Sequence, residues 1–195
     1  MTIIRKTKSR YSKVKQVKIA SPLVTRILVG AVLLFLTSIV LNLSIKLILF
    51  WVFIIFVNIT MENARLRANL PADFEFSTFS TVLVTVAFDI RLGIVTAIFS
   101  KLITSIATGN VLADHIFMII TYINAAVWAS IFGGLIGILP LGIMLTIVNC
   151  TLMWFISQKI LGLDITSNIS YTGTNLVFNL LVFAIFSELF YNLII

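Results

Sequence analysis

The chain is 195 residues long, 60% hydrophobic and only 11% charged, with a mean hydropathy of +1.14. A soluble domain carries about 25% charged residues to cover its surface, so this composition excludes a soluble enzyme and, equally, a disordered chain. The net charge of +7 is local: Arg5, Lys6, Lys8, Arg10, Lys13, Lys15 and Lys18 precede the first apolar segment with no acid among them. A basic tail of this kind reads as a cytoplasmic anchor on anionic lipid and not as a nucleic-acid surface.

The expected fold class is all-α: a polytopic integral membrane helical bundle of about six to seven transmembrane helices. Residues 1–20 form the basic cytoplasmic tail and residues 21–195 a single transmembrane domain. A span needs roughly 20 apolar residues, and seven apolar segments follow in order. The first is 22–42 and the second, 45–60, carries Trp51. The stretch 61–75 (MENARLRANLPADFE) is the most polar internal one, and Pro71 breaks a continuing helix.

The third segment, 76–89, is short and rich in Ser and Thr; as a re-entrant element it would lower the count to six. It reverses at Asp89-Ile90-Arg91-Leu92-Gly93 into a fourth at 92–108, which Gly109-Asn110 caps. The fifth, 115–136, opens at Asp114-His115. The sixth, 139–158, has Pro140 in its first turn, where proline is tolerated. The seventh, 172–195, ends the chain. With seven spans and the N-terminus inside, the inner side collects the tail, Arg65, Arg67 and Lys159 against Lys46 and Arg91 outside, which places the tail in the cytoplasm and the protein in the cell membrane.

Polar residues inside such segments must face other helices or a cavity. Ser77, Thr81, Thr85 and Asp89 recur every four residues on one stripe of the third segment, answered by Gly93, Ala97, Ser100, Thr104 and Thr108 on the fourth. The two stripes serve either close helix packing or a substrate-lining face. Ala125, Ala129, Gly133 and Gly137 make a small-residue ridge for a helix of this chain or of another subunit. Asn124 and Trp128, one turn apart, suit either a planar ligand or an interhelical contact. Lys101, Glu188 and Asp89 are the intramembrane charges, while Asn149, Asn175 and Asn179 are amides inside apolar segments. Asp73, Glu75, Asp114 and His115 fall at segment edges, where solvation satisfies a charge.

One cysteine, Cys150, and one histidine, His115, supply too few ligands for a transition-metal site, and no HExxH, P-loop or GxGxxG motif is present. The expectation is a protein without catalytic residues, metal or cofactor, and not an enzyme. From Leu70 to Gly137, the order LPADFE, a short Ser/Thr helix, DIRLG, a small-residue helix ending SIATGN, and HIFMIITYINAAVWASIFGG resembles the S components of energy-coupling factor transporters. That resemblance implies a vitamin-sized ligand cradled by six helices and a coupling subunit and ATPases supplied by other chains. Carried onto this chain, it implies a cavity lined by Thr81, Thr85, Asn124, Trp128, Asn175 and Asn179, with the Ala125/Ala129/Gly133/Gly137 ridge docking the coupling subunit. In the family the Ala-rich ridge lies on the first helix. The outline is also similar to the rod-shape MreD scaffolds, which implies a structural or accessory subunit that binds no small molecule. In both readings the partners are the bilayer and other membrane subunits, with no nucleic acid.

Overall fold

The computed structural model describes residues 43–70, 72–162 and 164–195, and every regular element among them is helical. The basic tail and the segment 22–42 lie outside the described residues. Six helices follow: α1 (Ile45–Ala68), α2 (Ser77–Ala87), α3 (Ile90–Thr108), α4 (Ala113–Phe132), α5 (Ile138–Lys159) and α6 (Ile165–Ile194). All except α2 are long and apolar enough to cross a bilayer. The protein is a helical membrane bundle.

Three boundaries differ from the periodicity reading. The first described helix runs eight residues past 60, because Glu62 and Arg65 pair one turn apart and neutralise each other on it. It stops where Asn69 takes a left-handed conformation (φ 50°). Helix α4 ends at Phe132 and not at 136, so Gly133 is its C-cap, and Gly137 is the residue that starts α5. Helix α6 begins at Ile165, not 172, since the Asp164 carboxylate accepts from the Ser167 amide at 3.1 Å and caps it.

Two contacts set the direction of the chain. Trp51 Nε1 donates to Thr96 Oγ1 at 2.8 Å near the starts of α1 and α3, and Asn110 Nδ2, just past the end of α3, donates to Glu62 Oε1 at 2.7 Å near the end of α1. The two helices therefore run parallel. The return between them is made by a non-helical stretch, 72–76, followed by the 11 residues of α2, a helix only about 16 Å long. This half-helix begins halfway along α1: Asn58 Oδ1 accepts from the Phe76 amide at 2.8 Å, and Asn58 Nδ2 donates to Ser77 Oγ at 3.4 Å.

The core forms around α2. Phe79, Val82, Leu83 and Val84 are fully buried and pack with Leu47, Trp51 and Ile54 of α1 and with Phe183 of α6. The paired stripes of α2 and α3 do meet. A methyl on Gly93 would run into the side chain of Thr85, whose hydroxyl is turned back onto the Thr81 carbonyl at 2.7 Å. Thr104 and Thr108 bond the carbonyls of Ser100 and Thr104 in the same way. The ridge of α4 also turns inward. Ala125 and Ala129 are buried in the core, and Gly133 lies against Val86 of α2; Gly137 is exposed. The partner of the ridge within the described residues is a helix of this chain.

Candidate functional site

The break before α2 delivers two acids to the middle of the bundle. Asp73 and Glu75 are alternate residues of a non-helical stretch, yet both are buried, because α3 and α6 each offer polar groups to the turn. Glu75 Oε2 accepts from Lys101 Nζ at 2.7 Å; the two residues are 5% and 3% exposed. Asp73 Oδ2 accepts from Asn175 Nδ2 at 2.6 Å, and its amide donates to Thr174 Oγ1 at 3.1 Å. Asn179, one turn further along α6, gives its amide nitrogen to the Glu75 carbonyl at 3.4 Å and to the carbonyl and side-chain oxygens of Asn175 at 3.1 and 3.2 Å. Three acceptors around one nitrogen fix which way this amide points.

Helix α5 closes the other side. Asn149 Nδ2 donates to Thr78 Oγ1 at 3.0 Å and to Met153 Sδ at 3.4 Å, and Cys150 Sγ donates to Asn175 Oδ1 at 3.3 Å. At the edge of the cluster Glu62 holds Arg65 and Asn110, and Ser105, bonded to the Lys101 carbonyl at 2.8 Å, pairs with His115 Nδ1 at 2.8 Å. Three buried oxygens in the network accept nothing: Glu75 Oε1, Asn149 Oδ1 and Asn179 Oδ1. Both acids of the connection have lost their hydration. Burial, with the neighbouring Asp73 carboxylate second, pushes the Glu75 carboxyl up to about 8 in spite of Lys101. Burial likewise holds Asp73 above the usual carboxylate range, against the pull of Lys101 and Asn175.

Next to this network, at the end of the bundle where α4 begins, lies a cavity of about 150 Å³ between α4, α5 and α6. Phe117, Met118, Met153 and Tyr171 supply its apolar wall, and Asp114, Thr121, Ser157 and Ser167 its polar atoms. Met153 belongs to both places, since it lines the cavity and accepts from Asn149. Tyr171, on the cavity wall, donates its hydroxyl to Met118 Sδ at 3.3 Å.

The six residues that the transporter resemblance points to do not converge. Asn175 and Asn179 are in the polar network, whereas Thr81 and Thr85 lie between α2 and α3. Asn124 is half-buried. Trp128 is 40% exposed and stacks on Phe132 at 5.7 Å, so it faces away from the network. None of the six lines the cavity. Of the three charges, only Lys101 is buried in the bundle. Asp89 is exposed and caps α3 through the Leu92 amide at 2.8 Å, and Glu188 is exposed on α6. The sequence reading leaves Asp73 and Glu75 solvated at a segment edge, whereas the structure buries both. The signal that finds them is Lys101, a lysine well inside an apolar helix that needs an acid partner. Among the described residues no group of three His, Cys, Asp or Glu side chains is arranged to hold a metal. No family model matches the chain, and no curated protein or solved structure matches it either.

Proposed function

We propose that this membrane protein is a non-catalytic, small-molecule-binding subunit of a transporter, with its site at the α4–α5–α6 end of the bundle. The carrying observation is the 150 Å³ cavity sharing Met153 with the buried amide network. An apolar cavity of that volume holds a molecule of about benzene size, and an apolar wall with a few convergent polar groups is the usual make-up of a ligand site. In membrane transporters, binding sites gather at interrupted helices, where backbone and amide groups freed from a regular helix face inward; the break at 72–76 supplies such a place. The occupant is therefore smaller than the vitamin-sized ligand implied by the resemblance to S components, and coupling subunits and ATPases would be other chains.

Ser157→Phe fills the cavity from α5. Native mass spectrometry of the wild type, purified gently from its own membrane, should show a stoichiometric small molecule that the Ser157→Phe protein lacks. Wild-type protein that carries none, and gains no thermal stability from any member of a small-metabolite library, would sink this reading.

A second reading, a structural or accessory subunit, is favoured by one observation: Thr85, Thr104 and Thr108 of the Ser/Thr stripes turn their hydroxyls onto helix carbonyls, and Thr85 packs against Gly93 of α3. Recovery inside a larger membrane complex without a ligand would support it.

A further inference from the structure

Among the described residues the polar network is short of positive charge. Among the described residues, charged or titratable groups act on Asp73 and Glu75 from four helices: Glu62 and Arg65 of α1, Lys101 of α3, Cys150 of α5 and Tyr171 of α6; α2 has none, and Asp114 and His115 of α4 act on Tyr171 and Lys101 instead. Glu62 and Arg65 neutralise each other. Lys101 is spent on Glu75. Asp114 and His115 stand together at the cavity end of α4, 3.9 Å apart, and Cys150 and Tyr171 are neutral as thiol and phenol. Among the described residues Asp73 is left with an amide as its side-chain partner and no base of its own. Three of the buried polar atoms without a partner, Glu75 Oε1, Asn149 Oδ1 and Asn179 Oδ1, are acceptors on residues of this network that are at least nine-tenths buried. Uncompensated charge inside a bundle is costly even after relaxation, which favours a bound cation at the cluster.

We infer that the Asp73–Glu75–Lys101 cluster is a monocation site, filled by one proton or by one small inorganic cation that displaces it. The exchange balances: one cation enters, one proton leaves, and the cluster stays neutral. Oxygens from carboxylate and amide groups suit either a proton or a hard alkali cation, and a break in a membrane helix is where such ions are held. The site stands on charge balance alone and does not depend on the small-molecule reading, whose tests concern the cavity.

The experiment is thermal unfolding of the full chain in lipid nanodiscs at about pH 6 and about pH 8.5, on either side of the range over which a buried carboxyl can titrate. NaCl or KCl is exchanged for choline chloride at constant ionic strength, choline being a bulky organic cation in place of the alkali ion. A saturable rise in Tm with Na⁺ or K⁺ at the higher pH, smaller at the lower, identifies the cation. If neither ion acts, a wild-type Tm that falls between the two pH values identifies the proton as occupant. In both cases Asp73→Asn and Glu75→Gln, each of which leaves one acid against one base, should flatten the response. A wild-type Tm indifferent to pH and to all three salts, or variants that respond like the wild type, would overturn the site. The wild-type measurement decides even if a variant fails to fold.

Discussion

Lys101 is the residue on which the interior depends most. Its ammonium is 2.7 Å from Glu75 and almost fully buried, and removing one partner of a buried pair costs about 3–5 kcal/mol because the other charge is left alone. Lys101→Met is expected to lower the yield of folded protein sharply. The double variant Lys101→Met/Glu75→Gln should recover much of that loss; size-exclusion profiles and Tm of the three proteins check both statements. A purely steric role for Lys101 would show no recovery. Gly142 is the second sensitive point. A methyl there runs into the ring of buried Phe183 across the α5–α6 contact, and overpacking of this kind costs about 1–3 kcal/mol. Gly142→Ala should therefore unfold at lower denaturant than the wild type, while Gly134→Ala, which meets nothing within 4 Å, should be close to neutral in packing.

At the scale of elements, the informative one is the half-helix α2 and the non-helical stretch before it. Eleven residues cannot bury a face alone, so their placement rests on a few anchors. Asn58 is the chief one, since it satisfies the Phe76 amide at the point where the helix starts. Asn58→Leu strands that amide away from water, at a cost of about 1–3 kcal/mol. Asp89→Ala removes a comparable capping bond from α3, but at an exposed position; caps are worth about 1 kcal/mol, and the freed amide can find water. Urea or SDS unfolding should rank Asn58→Leu as the more damaging. The sequence made this element legible only in part. Its Ser/Thr stripe announces close packing on α3, and Gly93 and Thr85 meet as the spacing requires. The two acids just before it were hidden, because a carboxylate beside a proline in a polar stretch looks like a loop in water.

Across the whole molecule, the parallel course of α1 and α3 puts the 110 and 161 connections on one side of the bundle, and 89 and 135 on the other. Cysteines introduced at Asn110 and Leu161 should be labelled by a membrane-impermeant maleimide from the same face, and those at Asp89 and Leu135 from the opposite one. The native Cys150 is buried against Asn175 and should give little background. The face bearing Arg65, Arg67 and Lys159 is expected to be cytoplasmic. Labelling of 110 and 89 from one face would contradict the parallel arrangement.

The sequence by itself determined the class of molecule and the rough run of its helices. Hydropathy and charge are sums over composition and short windows, and caps such as Gly109 and Asp164 act within a few residues of themselves. The short-range packing signals were readable for the same reason: small residues four apart lie on one face whatever surrounds them. What that face meets was decided by the tertiary structure, which turned Ala125 and Ala129 onto α2 and Trp128 outward. The pairing of Asp73 with Asn175 and of Glu75 with Lys101 joins residues 102 and 26 positions apart. No local periodicity encodes such a meeting. It exists because the parallel run of α1 and α3 forces the chain back through the bundle, where α3 and α6 bring polar partners to its two acids.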